Sequence, residues 1–142
     1  MLKLIRRRKK NGEKGQSLVE FALLVPIFLI LIFAIVDFGM GFYSWITITN
    51  AAREGARLGA VQATQQDIED RVWDSADNLP NAATNMTVTV QGFQGQPGDS
   101  VVVQVDYDYD LITPLAGLVQ FATGNAFGST LTLSSTADMR LE

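Results

Sequence analysis

One carboxylate, Glu20, stands five residues beyond Gly15 at the mouth of an apolar run, and from Phe21 to Val36 no side chain is polar. A charge at the edge of a membrane-length segment is costly unless something pairs with it. The chemistry open to Glu20 is therefore pairing with a group that balances its charge. Acid–base turnover has little to work with elsewhere. The chain has no His and no Cys, which removes the usual zinc ligands, the usual general base of hydrolases, every disulfide and any acylated Cys. A structural protein with no catalysis of its own and no cofactor is expected.

Asp106, Asp108 and Asp110 invite a calcium reading. An EF-hand loop starting at Asp106 needs Gly at its sixth place and Glu at its twelfth, where Leu111 and Gly117 stand. Alternation along a strand puts the three carboxylates on one solvated face instead, so no metal site is assigned. Gly92 to Gly98 lacks the Gly-Lys-Ser/Thr of a phosphate loop and reads as a hairpin link.

Around these residues the charge is sharply divided. Met1 to Gly15 holds seven basic residues against Glu13, a net +6, and the remainder of the 142 residues holds four basic residues against fourteen acids, a net −10. An acidic body argues against nucleic acid as a partner. A basic head suits the anionic cytoplasmic face of a membrane. Phe21 to Val36 would measure about 24 Å as a helix, a little short of a bilayer core. Phe38, Met40, Phe42, Tyr43 and Trp45 extend it past spanning length, with Tyr43 and Trp45 placed as interfacial aromatics. Pro26 bends such a helix without ending it. No small-x-small cleavage site follows Val36 closely, and the helical pattern continues past Arg57, so the segment reads as a retained single-pass anchor rather than a secretory signal.

Further along, Ala51, Gly55 and Gly59 recur at i+4 spacing with Ala52, Ala56 and Ala60 beside them, a stripe that lets another backbone approach closely. Arg53 and Arg57 flank Glu54, either as an exposed face with local ion pairs or as a subunit contact. Thr64-x-x-Asp67 predicts a capping box for a short helix with Ile68, Val72 and Ala76 on its inner face. Then the period becomes two. Met86 to Val90 and Val101 to Asp110 predict a hairpin, and Ser129 to Met139 a last strand. Leu111 to Phe121 fits a short helix or a loop packed on the sheet. The expected fold is α+β: a long N-terminal transmembrane helix continuing into a small antiparallel sheet domain. Its organisation is a cytoplasmic basic leader over 1–15, a transmembrane and extended helix over 16–61, and an exported domain over 62–142.

Ser17-x-x-Glu20 before an apolar run also matches a capping box, with Glu20 merely completing a helix start. Yet Gly15-Gln16-Ser17-Leu18-Val19-Glu20-Phe21 resembles the processing site of type IV prepilins, with Gly before the cut and Glu fifth in the mature chain. Together with Thr49-Asn50-Ala51-Ala52-Arg53-Glu54-Gly55-Ala56-Arg57, it is similar to the TadE-like pseudopilins of tight-adherence pilus systems. Gly12 would put Ser17 at the fifth position; only Gly15 puts Glu20 there. Phe21 stands where the small major pilins have Tyr, and the chain is far longer than they are, so the likeness is to a minor, pilin-like class.

The resemblance implies a precursor with its N-terminus in the cytoplasm and its domain in the periplasm or outside the cell. A membrane prepilin peptidase would cut between Gly15 and Gln16. Gln16 and Glu20 would serve subunit assembly, and Ala51, Ala52, Arg53, Gly55, Ala56 and Gly59 helix packing. Its partners would be the peptidase, other pilins, the assembly machinery and membrane lipid. The alternative is an uncleaved anchor displaying a small extracytoplasmic binding domain.

Overall fold

The computed structural model describes residues 12–124 and 128–142, with the side chains of 12–14 outside the description. The expected leader therefore lies mostly outside the described residues. Helix α1 runs unbroken from Gly12 to Ala60, through Pro26, and at ~1.5 Å per residue it is about 73 Å long. Its two halves differ in what surrounds them. No residue from Gly15 to Val36 is buried. From Asp37 onward a stripe turns inward at helical spacing: Asp37, Ser44, Thr47, Ile48, Ala51, Ala52, Gly55, Ala56 and Gly59. Among the described residues none covers the apolar half, and the small-residue half is covered by the rest of the domain.

That cover is built from α2 (Gln65–Ser75), the one-turn α3 (Ala82–Asn85) and strands β1 (Met86–Gln91), β2 (Ser100–Asp110) and β3 (Thr130–Arg140), with α4 (Leu115–Thr123) between the last two strands. The capping box at the start of α2 forms as its residues predict. Thr64 Oγ1 accepts from Asp67 N–H, and the Asp67 side chain accepts from Thr64 N–H. Ile68, Val72 and Ala76 are fully buried.

The sheet is antiparallel in the order β1-β2-β3. Met86 pairs with Tyr107 at one end of the first ladder and Gln91 with Val102 at the other. Ser100 pairs with Arg140 and Asp110 with Thr130 in the second. Alternation along β2 sends Val101, Val103, Val105, Tyr107 and Tyr109 into the core. Gly92 closes the hairpin at φ +73°, where an added Cβ would lie 2.1 Å from the Ser100 carbonyl oxygen, so only glycine fits. The end of the chain returns to the long helix. Leu141 is buried, and Glu142 N–H donates to Ala60 O at 3.0 Å, satisfying one of the carbonyls that a helix C-terminus leaves open.

Candidate processing and assembly segment

Gly15, Gln16, Ser17 and Glu20 all lie on the exposed part of α1. Because the helix already begins at Gly12, Ser17 is an interior residue and cannot be an N-cap. The capping-box reading of Ser17 and Glu20 is corrected accordingly. Glu20 instead accepts a hydrogen bond from Gln16 Nε2 at 3.0 Å, one turn back along the same face. A Cβ added at Gly15 would meet nothing within 4 Å. The chain's own packing therefore does not demand glycine there, which leaves recognition from outside as a reason for it.

The second expected cluster lies where the domain closes on the helix. Ala51, Ala52 and Ala56 are fully buried. A Cβ on Gly55 would come within 2.5 Å of Val72 Cγ2, and one on Gly59 within 2.8 Å of Val101 Cγ2. The stripe is thus occupied within the chain, by α2 and β2. Arg53 faces outward, off that stripe. Glu54 binds Arg57 on its own helix and Arg71 on α2, both at 3.0 Å. The hydrogen bond from Arg71, then that from Arg57, holds the Glu54 carboxyl below its ordinary value. The partner on α2 is one that local spacing could not reveal.

Sequence reasoning also passed over Asp37. It is 2 % exposed and sits one residue beyond the apolar run. Its Oδ1 accepts from the backbone N–H groups of Ile112 at 3.0 Å and Thr113 at 3.2 Å, and its Oδ2 accepts from the Thr113 hydroxyl. Thr113 Oγ1 in turn accepts from Leu115 N–H at 3.2 Å, at the start of α4. The Tyr109 hydroxyl donates to the Asp37 carbonyl oxygen at 3.2 Å, and burial, then the nearby Asp37 carboxylate, raises the Tyr109 pKa. An acid at the exact end of an apolar helix run was the available signal; its partners lie more than seventy residues away in sequence.

The strand carboxylates find hydrogen-bond donors within the fold. Asp108 accepts from Thr132 at 2.7 Å, Asp110 from Thr130 at 2.6 Å and Asn85 at 3.3 Å, and Asp106 from Gln104 at 2.9 Å.

These features define a class: an α+β domain carried on a long helix whose N-terminal half is apolar and bare enough to cross a membrane. Residues 15–57 match the model of the family described as TadE-like protein. The matched segment begins at Gly15 and ends at Arg57, so the likeness carried by the two motifs is borne out over the helix, and the strands lie outside it. No curated protein and no solved structure matches the chain.

Proposed function

We propose that this chain is a minor pilin or pseudopilin of a tight-adherence pilus assembly system, made as a membrane precursor with its basic end in the cytoplasm and cut after Gly15. The observation that carries this reading is the spacing of Gly15 and Glu20 on a helix that its own domain leaves bare. The TadE-like match over that helix supports a pilus-associated structural role.

The carboxylate has a physical purpose under this reading. Cleavage creates an α-amino group on Gln16, protonated below a pKa of about 7.7–8.0. In a bundle of apolar helices, that amine and the Glu20 carboxylate of a neighbour neutralise each other, and their pairing fixes the axial register. Cleavage also frees Gln16 from the +6 leader, so the helix leaves the bilayer at lower cost.

Glu20→Gln tests the role. The replacement is polar and similar in size, lies on an exposed surface and removes only the charge. Processing after Gly15 is expected to survive, because the cut falls on the leader side. Assembly is expected to fail or slow, since a buried amine left without its partner costs about 3–5 kcal/mol. Co-purification with pilus components, beside an assay of processing, reads both. Normal processing with normal assembly would remove Glu20 from the mechanism.

A further inference from the structure

Helix α4 is apolar on both sides: Leu115, Ala116 and Val119 are half-buried, and a second apolar face is turned outward. It buries no residue. Pro114, Gly117, Leu118, Phe121 and Ala122 are all exposed, and their i, i+3, i+4, i+7, i+8 spacing makes one helical face. Phe121 is 91 % exposed and Ile112, just before the helix, 57 %. From Leu111 through Ser129 no residue carries a charge. A nine-residue helix is marginal by itself in water, and this one presents its apolar stripe where a water-facing helix would carry polar side chains.

Its height along α1 says what covers it. The loop leading into α4 is held by Asp37 through Ile112 and Thr113, one residue past the bare apolar stretch. Counted from Leu18, the bare stretch to Val36 is about 28 Å long, and the domain covers one face of α1 from Asp37 onward. The outer end of the crossing stretch therefore falls at Asp37 rather than at the Tyr43 and Trp45 expected from sequence, and the start of α4 lies level with it. Phe38, 68 % exposed, lies next to the same anchor point on α1. We propose that α4 lies in the outer interfacial layer of the membrane, with Leu118 and Phe121 set among the lipid acyl chains, as a second contact beside the spanning helix. The proposal rests on the membrane-anchor reading of α1. Asp37 then sits at the hydrocarbon boundary with its carboxylate turned into the domain, and the lipid-facing surface there is uncharged.

The absence of Cys permits a clean test with the full chain in phosphatidylethanolamine–phosphatidylglycerol vesicles. Single cysteines replace Leu24, Leu118, Phe121 or Asp70, each exposed in the fold, and carry an environment-sensitive fluorophore. Asp70 lies on α2, which packs near Gly55, about 27 Å further along α1 than Asp37. Nitroxide lipids labelled at the headgroup or deep in the acyl chain then act as quenchers. The expected result is loss of fluorescence at Leu24 with the deep label, loss at Leu118 and Phe121 with the shallow one, and none at Asp70. Quenching at Leu24 with none at Leu118 and Phe121 would overturn the docking and leave the anchor standing. Quenching of those two sites by a nitroxide on a second copy of the chain, and not by lipid, would assign the face to a neighbouring subunit and also overturn it. No quenching at Leu24 would remove the anchor reading itself, and the docking with it.

Discussion

At the scale of single residues, two carboxylates on one helix have opposite circumstances. Glu20 is exposed and accepts from Gln16 one turn back, whereas Asp37 is buried and satisfied by three donors from one loop. The Glu20 signal was legible because glycine and carboxylate lie close together in sequence. Asp37 was not, because what makes it important is a fold that returns residues 112–113 to it. Asp37→Ala leaves the Ile112 and Thr113 N–H groups without their acceptor, a loss of about 2–3 kcal/mol in domain stability. Urea unfolding of the full chain in detergent measures it, with hydrogen exchange at residues 112–115 rising as the start of α4 loosens. Unchanged stability and exchange would show that the clamp holds nothing in place.

At the scale of elements, the capping box of α2, the hairpin and the last strand were legible because each is specified by neighbours in sequence: a cap, a period of two, a turn. The stripe of small residues was legible as a packing face, but its occupants, Val72 on α2 and Val101 on β2, follow only from the tertiary fold. The open choice over Leu111 to Phe121 resolves as a helix, α4, that buries no residue and leaves Leu118 and Phe121 exposed, since local apolarity cannot tell a core-facing segment from an outward one. Glycines on α1 separate helix propensity from packing. Gly55→Ala gains about 1 kcal/mol of propensity but forces a Cβ within 2.5 Å of Val72, and overpacking of about 1–3 kcal/mol is expected to win. Gly39→Ala meets nothing within 4 Å and is expected to stabilise by up to about 1 kcal/mol. Equal effects at the two positions, read by thermal unfolding, would contradict the packing described. The tie between α1 and α2 has a pH signature. The Glu54 pKa is lowered in the fold, so its contribution is present above the unfolded value and lost as pH falls through the folded one. Glu54→Gln is therefore expected to flatten the acid side of the stability profile while leaving the slope near neutral pH unchanged. An unaltered acid limb would show that the two arginines contribute nothing there.

At the scale of the whole molecule, α1 is one continuous rod with two parts divided at Asp37: a bare half long and apolar enough to cross a membrane, and a half that is the backbone of an α+β domain. The division of charge and hydropathy made both halves legible before any contact was known. What sequence could not give is how closely the domain is fastened to α1 just past its apolar half, through Asp37 and Thr113. The central claim is that the chain is a precursor cut between Gly15 and Gln16, and the mature N-terminus tests it most directly. The full chain, expressed with an active prepilin peptidase and extracted from membranes, is analysed by intact mass and N-terminal sequencing, beside a Gly15→Val variant. A Cβ added at Gly15 meets nothing within 4 Å, so the variant is expected to fold and insert normally. The account predicts that the native chain begins at Gln16, with or without a small group on its amine, and that the variant keeps its leader. Recovery of the native chain at full length with the peptidase active would contradict it.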